Sequence, residues 1–211
     1  MKQQAILEFK NITKKYPGTV ALNDVSIDFL PGEVHALVGE NGAGKSTLIK
    51  TCSGAITPTS GEIIIDGKKF EKLTPSLSQE NGIAVIYQEF NLVNDISIAE
   101  NVFLGSPIRT HGMIDMKAMV SESQKIFEQL GINIDVTANV RTLTTGYQQL
   151  VEIAKALAKN AKLLILDEPT SSLNEADSQA LLERNDFPVA ADFDQRIGDI
   201  DLTVFQTGYR S

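Results

Sequence analysis

Gly39-Glu40-Asn41-Gly42-Ala43-Gly44-Lys45-Ser46 is the stretch on which the reading of this chain turns. It fits G-x-x-x-x-G-K-S/T, the phosphate-binding loop also called Walker A. The spacing has a chemical reason. Successive backbone N–H groups must turn inward around an anion, and side chains would obstruct that turn. A helix that follows then points its positive end at the phosphates. Lys45 is placed to reach the β- and γ-phosphates as a point charge, and the Ser46 hydroxyl to ligate Mg2+. The flanks suit the loop: Val34–Val38 is a short apolar run read as a buried strand, and a helix is predicted from about Lys45 to Cys52.

A second stretch supplies the other half of such a site. Leu163-Leu164-Ile165-Leu166 is typical of a strand covered on both faces, and it ends in Asp167-Glu168, the form of a Walker B element. Asp167 is expected to hold Mg2+ at the carboxyl end of its strand, through water. Glu168 is expected to orient and polarise the attacking water. Alone, an apolar run ending in two acids is usually a strand meeting solvent; together with residues 39–46 it reads as functional.

Around these two segments, Ala5, Leu7 and Phe9, then Val25, Ile27 and Phe29, alternate in strand fashion, with turns at Pro17-Gly18 and Pro31-Gly32. Gly61–Gly67 reads as a strand with a tight exit turn, and Ile83–Tyr87 as another. From about Phe90 to Ala158 the pattern turns helical. Met116, Met119, Val120, Phe127 and Leu130 form one apolar face, closed by Gly131, and Leu150, Ile153, Ala154 and Leu157 form another. Asn174 suits the cap of a last helix. Strands alternating with helices imply an α/β fold, with an antiparallel β element near the N-terminus and an inserted helical subdomain at about 90–158.

Acidic residues outnumber basic ones 27 to 19. That balance repels phosphate backbones and argues against nucleic acid as a partner. Lone Cys52 can form no disulfide within the chain and is expected in the core. Met1-Lys2-Gln3-Gln4 opens no signal-type segment, and no apolar run is long enough to span a bilayer. A membrane role would therefore run through a partner.

Walker A, then Gln88, then Leu143-Thr144-Thr145-Gly146-Tyr147-Gln148-Gln149, then Asp167-Glu168-Pro169-Thr170-Ser171-Ser172-Leu173 together resemble the ATP-binding cassette (ABC) family over roughly residues 5–183. His35–Gly42 and Ile153–Leu157 resemble the first cassette of bacterial sugar importers, where two cassettes usually share one chain. The resemblance implies a P-loop NTPase sheet, ATP and Mg2+ as ligands, and transport-coupled hydrolysis. It implies Tyr16 stacked on adenine, with Gly39, Asn41, Gly42, Gly44, Lys45, Ser46 and Thr47 around the phosphates. Ser46, Gln88 and Asp167 would hold the metal; Glu168 and Gln88 would serve the attacking water. Thr144–Gly146 stands where the signature L-S-G-G-Q belongs, Thr145 replacing a glycine and Tyr147 the usual glutamine. It would meet the γ-phosphate held by a second nucleotide-binding cassette in a head-to-tail dimer. Transmembrane permease subunits, and indirectly a substrate-binding protein, would be the other partners, at the cytoplasmic face of the cell membrane. In Ser171–Asn174, Asn174 replaces the usual aspartate of a loop that crosses the dimer interface.

After Leu182 the resemblance stops. A complete cassette continues into an apolar strand ending in a histidine that contacts the γ-phosphate. Residues 184–211 hold no histidine; His35 is read as packing in its strand and His111 as an exposed loop residue. Residues 1–183 are thus read as an incomplete cassette and 184–211 as an atypical tail, in which Leu202–Phe205 could form a strand. A lost sheet strand would expose apolar surface. Two functions stay open: the ATP-hydrolysing subunit of a sugar importer, or a nucleotide-binding module with little or no hydrolysis.

Overall fold

The computed structural model describes residues 4–40, 42–87, 90–167 and 201–207. Their contacts divide them into two units, the first made of residues 4–87, 161–167 and 201–207, the second of residues 90–160.

In the first unit, β1 (Leu7–Tyr16) and β2 (Thr19–Phe29) form an antiparallel hairpin that turns at Pro17-Gly18, where Gly18 has φ 81°. β1 also pairs antiparallel with β4 (Ser60–Ile65), and β4 turns through Asp66-Gly67 into β5 (Lys68–Phe70), giving the order β2-β1-β4-β5. Leu7, Phe9 and Ile12 are all buried. Strict alternation would put position 11, not 12, in the core, so the strand must gain one residue. It does so at Asn11, whose φ is 52°. The displaced residue keeps two of its donor groups paired: its backbone N–H donates to Ser26 Oγ at 2.9 Å and its Nδ2 to Asp24 Oδ1 at 2.8 Å.

The second sheet of this unit has the order β3 (Val34–Gly39), β10 (Asp201–Thr207), β9 (Leu163–Asp167), β6 (Ile83–Ile86). β6 and β9 are parallel, while β10 is antiparallel to both β3 and β9. β3, β9 and β6 therefore run the same way, and their carboxyl ends emerge at one edge. α1 (Lys45–Cys52) packs against β2, β3 and β9, and α2 (Pro75–Glu80) lies by β6. Ile49 and Cys52 of α1 share one core with Phe9, Phe29, Ile63, Ile65, Ile83, Leu163 and Ile165. Each such aliphatic or aromatic side chain contributes about 1.5–3 kcal/mol relative to exposure. Leu163 to Leu166 are all buried, as a strand covered on both faces requires. Cys52 is buried as expected, and burial pushes its thiol far above the ordinary range, so it is chemically inert. β10 lies between β3 and β9, extending the Leu202–Phe205 expectation to Asp201–Thr207.

The second unit is mainly helical: α3 (Ile98–Val102), a short hairpin of β7 (Arg109–Thr110) and β8 (Met113–Ile114), α4 (Met116–Gln129), a 3-10 turn at Val140–Thr142 and α5 (Thr145–Ala158). Ser97 and Glu100 form a reciprocal capping box at the start of α3. Asp115 caps α4 by accepting from the Ala118 N–H at 2.9 Å, and Gly131, with φ 72°, follows its end as read. Met119, Phe127 and Leu130 are buried, but Met116 is 42% exposed. As the first residue of α4 it has no preceding turn to complete an apolar face. Ser123 and Ile126 complete the buried stripe instead. His111 is exposed in the β7–β8 turn with φ 52°. His35 stacks edge-on with Phe29, ring centroids 5.1 Å apart.

Candidate nucleotide site

Chain direction decides the loop's shape. β3 delivers the backbone to Gly39, and α1 starts at Lys45. The chain must reverse within five residues, and it does so with positive φ at Gly42 (85°) and Gly44 (97°). Gly44 is tightly placed: a Cβ there would stand 2.3 Å from the Ala21 carbonyl oxygen and 3.2 Å from Leu22 Cδ2. At Gly39 a Cβ would meet Ala43 Cβ at 3.2 Å. The loop is thus seated against β2, and only glycine allows that seat. The Ala43 N–H closes a turn onto the Glu40 carbonyl at 3.1 Å.

α1 receives no side-chain cap from Gly44 and has no acidic residue in its first turn. Its positive end is therefore not neutralised by its own sequence, which suits an anion. The Lys45 ammonium folds back over the loop and donates to the carbonyls of Gly39 at 2.6 Å and Glu40 at 3.1 Å. A cation is so held at the loop mouth, on flexible bonds that a phosphate oxygen could replace. Ser46 is exposed and Thr47 half-buried at the start of the helix.

The carboxylate strand is reached through register. Leu37 of β3 and Asp167 of β9 both stand level with Thr203 of β10, and Gly39 lies two residues further along β3. With strands about 4.8 Å apart, β3 and β9 are roughly 10 Å apart across β10. Asp167 and the phosphate loop thus leave the same edge of one sheet, the usual place for ligands in an open α/β fold. β6 ends there too, Ile86 pairing with Leu166. Asn41, Gln88, Glu168 and the segment Ser171–Asn174 lie outside the described residues, as does the side chain of Asp167. Hydroxyl and carboxylate oxygens are the hard donors that Mg2+ takes, so Ser46 with the strand end at Asp167 fits that ion.

Tyr16 closes β1 and is 40% exposed. Lys14 Nζ lies 5.3 Å from its ring centroid and donates to the Thr57 carbonyl at 2.7 Å, so a cation polarises one face of the ring. Leu22, which touches the Gly44 position, pairs with Lys14, two residues before Tyr16. The hairpin that carries Tyr16 is therefore the wall on which the phosphate loop rests. Sequence reasoning missed Lys14, Ala21 and Leu22. A lysine two residues before an aromatic was a weak hint, and nothing signalled that β2 backs the loop.

Thr144–Gly146 belongs to the helical unit. Thr144 is the N-cap of α5, with extended φ −67° and ψ 162°, and makes no side-chain capping bond. Thr144 and Thr145 are exposed, Gly146 is buried, and the first turn of α5 carries no acid. The start of this helix can accept an anion by the same physics as α1.

The family model for ABC transporters matches residues 22–171. The chain is 49% identical over 176 residues to the ribose import ATP-binding protein RbsA 1 of Rubrobacter xylanophilus, covering 83% of this chain and 35% of that protein. It is 49% identical over 181 residues to the xylose import ATP-binding protein XylG of Geobacillus kaustophilus, covering 85% and 36%. The chain thus spans about a third of the length of the curated relatives it matches. Among solved structures it is similar to MJ1267, an ATP-binding cassette of an ABC transporter, in its ADP conformation, with a TM-score of 0.74 and 26% identity, covering 86% of this chain and 75% of that one. It is also similar to the dimeric post-hydrolysis state of the cassette MJ0796 bound to ADP and Pi, with a TM-score of 0.67 and 25% identity, covering 84% and 80%.

Proposed function

The chain belongs to the ABC transporter family, and on that premise we propose that it is an ATP-binding and ATP-hydrolysing cassette that energises a membrane importer for sugars. One observation carries the reading. The glycine-shaped loop with Lys45 at its mouth opens at the same sheet edge where β9 ends in Asp167.

Each residue then has a physical task. The α1 amides and those of Gly39, Asn41, Gly42 and Gly44 receive the phosphates, with Thr47 beside them. Lys45 exchanges its two loop carbonyls for β- and γ-phosphate oxygens. Tyr16 offers its exposed face to adenine, a stacking contact of about 1 kcal/mol or more. Ser46, Asp167 and Gln88 hold Mg2+, which when bound offsets phosphate charge. Glu168 orients the attacking water and accepts its proton. Thr144 and Gly146 of a second cassette, paired head to tail, close on the γ-phosphate. ATP then acts as the ligand that shifts an open–closed equilibrium, passed to transmembrane permease subunits fed by a substrate-binding protein. Among the described residues no helix is long and apolar enough to cross a membrane, which fits a peripheral place at the cytoplasmic face.

A second reading, nucleotide binding with little or no hydrolysis, is favoured by one observation. The strand seated between β3 and β9, Asp201–Thr207, carries no histidine for the γ-phosphate. Steady-state ATP turnover separates the two. Turnover well above a Glu168→Gln variant supports hydrolysis. Tight Mg-ATP binding with equal turnover in both proteins supports the second reading, and no binding rejects both.

A further inference from the structure

β3 and β9 carry the two halves of the nucleotide site, yet they do not pair with each other; β10 lies between them. Six residues of β10, Asp201–Gln206, stand opposite Gly39–Val34, and five, Thr203–Thr207, stand opposite Asp167–Leu163. The first of these pairs sets Asp201 level with Gly39, where the phosphate loop begins. β10 runs against three strands that are mutually parallel, and it reaches this slot from a part of the chain remote in sequence from both neighbours. A strand held by ladders on both sides owes its place to main-chain hydrogen bonds, which tolerate many sequences and can be made or broken as a unit. Without it β3 and β9 would each present a row of unpaired N–H and C=O groups.

From this topology we infer that β10 is a docking strand that controls nucleotide affinity. Seated, it holds the phosphate loop and the Asp167 strand at a two-strand separation; released, it leaves the two halves joined through the packing of α1 on β9 and their shared core, with no ladder fixing their spacing. The inference rests on the proposed nucleotide site and adds its regulation. Coupling of this kind is reciprocal: whatever factor the seated strand adds to nucleotide affinity, bound nucleotide must add to strand docking. Anything that captures residues 201–207 would lower affinity without touching a phosphate-binding residue.

Two manipulations of the full chain test this. Ala36 and Val204 are register partners, so the double variant Ala36→Cys with Val204→Cys should form an intramolecular disulfide on mild oxidation, the native Cys52 being buried and inert. Failure to cross-link overturns the inference. Val204→Pro removes a ladder donor in a strand paired on both sides. It should lower Mg-ATP affinity by at least ~tenfold, the scale of a typical coupling between sites, while the helical circular dichroism of the chain persists. Should that variant fail to fold, hydrogen exchange of the unmodified chain decides: Mg-ATP should slow exchange at residues 202–206 along with 34–39. Unchanged exchange at 202–206 overturns the coupling. Wild-type affinity in a folded Val204→Pro protein overturns it alone, whereas an unmodified chain that does not bind Mg-ATP overturns the functional reading and the coupling with it.

Discussion

Replacing Gly44 by alanine separates two costs that the phosphate loop combines. The first is conformational. Gly44 has φ 97°, and left-handed backbone costs an L-residue about 1–2 kcal/mol, offset by about 0.4–1 kcal/mol because alanine has fewer unfolded conformations to lose. The second is steric. The new Cβ would stand 2.3 Å from the Ala21 carbonyl oxygen, a main-chain atom of β2 that cannot swing aside like a side-chain end. Either the loop or β2 must shift, which adds about 1–3 kcal/mol by analogy with overpacking. Gly18 is the control: its φ is 81°, but nothing lies within 4 Å of a Cβ built there. For a chain of this size 1 kcal/mol moves Tm by about 2–4 °C. Gly18→Ala should therefore melt within a few degrees of the unmodified protein and bind Mg-ATP normally. Gly44→Ala should lose about 2–4 kcal/mol and at least ~tenfold in Mg-ATP affinity, since a displaced loop no longer aims its amides. Thermal melting and titration calorimetry of both variants read the two costs side by side. Equal melting losses, with Mg-ATP affinity unchanged in both, would refute the claim that the loop is seated on β2.

The other predictions concern the helical unit. Ser97→Ala removes the capping box of α3 and should cost about 1 kcal/mol, read as a lower urea midpoint of the α-helical signal with unchanged slope. Acid should weaken the same unit. Hydrogen bonds from the Ser97 side chain and backbone hold the Glu100 carboxyl below its usual range. The Ala118 N–H and the Thr110 hydroxyl do the same for Asp115, as do the Thr137 hydroxyl and N–H for Asp135. A carboxylate whose folded pKa is depressed contributes stability above its unfolded pKa and loses it as pH falls through the folded value. The melting temperature should thus be level from neutral pH to about 5 and decline below about 4. The Ser97→Ala variant should show a shallower decline; an identical acid slope would remove Glu100 from the account.

What the sequence made legible is what short-range chemistry determines. The phosphate loop, α1 and β9 could be read because glycine conformation, helix start and an unbroken apolar run are local facts. α4 and α5 were legible from their apolar spacing, apart from Met116 at an end where the pattern has no turn to complete. β5, β7 and β8, of two or three residues, are too short to carry a period. The extra residue at Asn11 was hidden because it is defined by its partners Ser26 and Asp24, 15 and 13 positions away. Nothing local announced that residues 201–207 would enter the sheet between β3 and β9, since antiparallel pairing over such separation depends on which edges are open. In the site, Lys45 and the direction of β9 could be foreseen, while the backing of the loop by Ala21 and Leu22 is a tertiary contact with no motif.

The account stands most directly on titration calorimetry of Mg-ATP into the unmodified chain and into Lys45→Ala. Two charge-assisted contacts to phosphate are at stake, at about 1.5–3 kcal/mol each, so the variant should bind at least ~tenfold more weakly while its melting temperature moves by only a few degrees. Equal affinity in the two proteins would mean that residues 39–46 do not hold the triphosphate, and the nucleotide reading of this chain would fall.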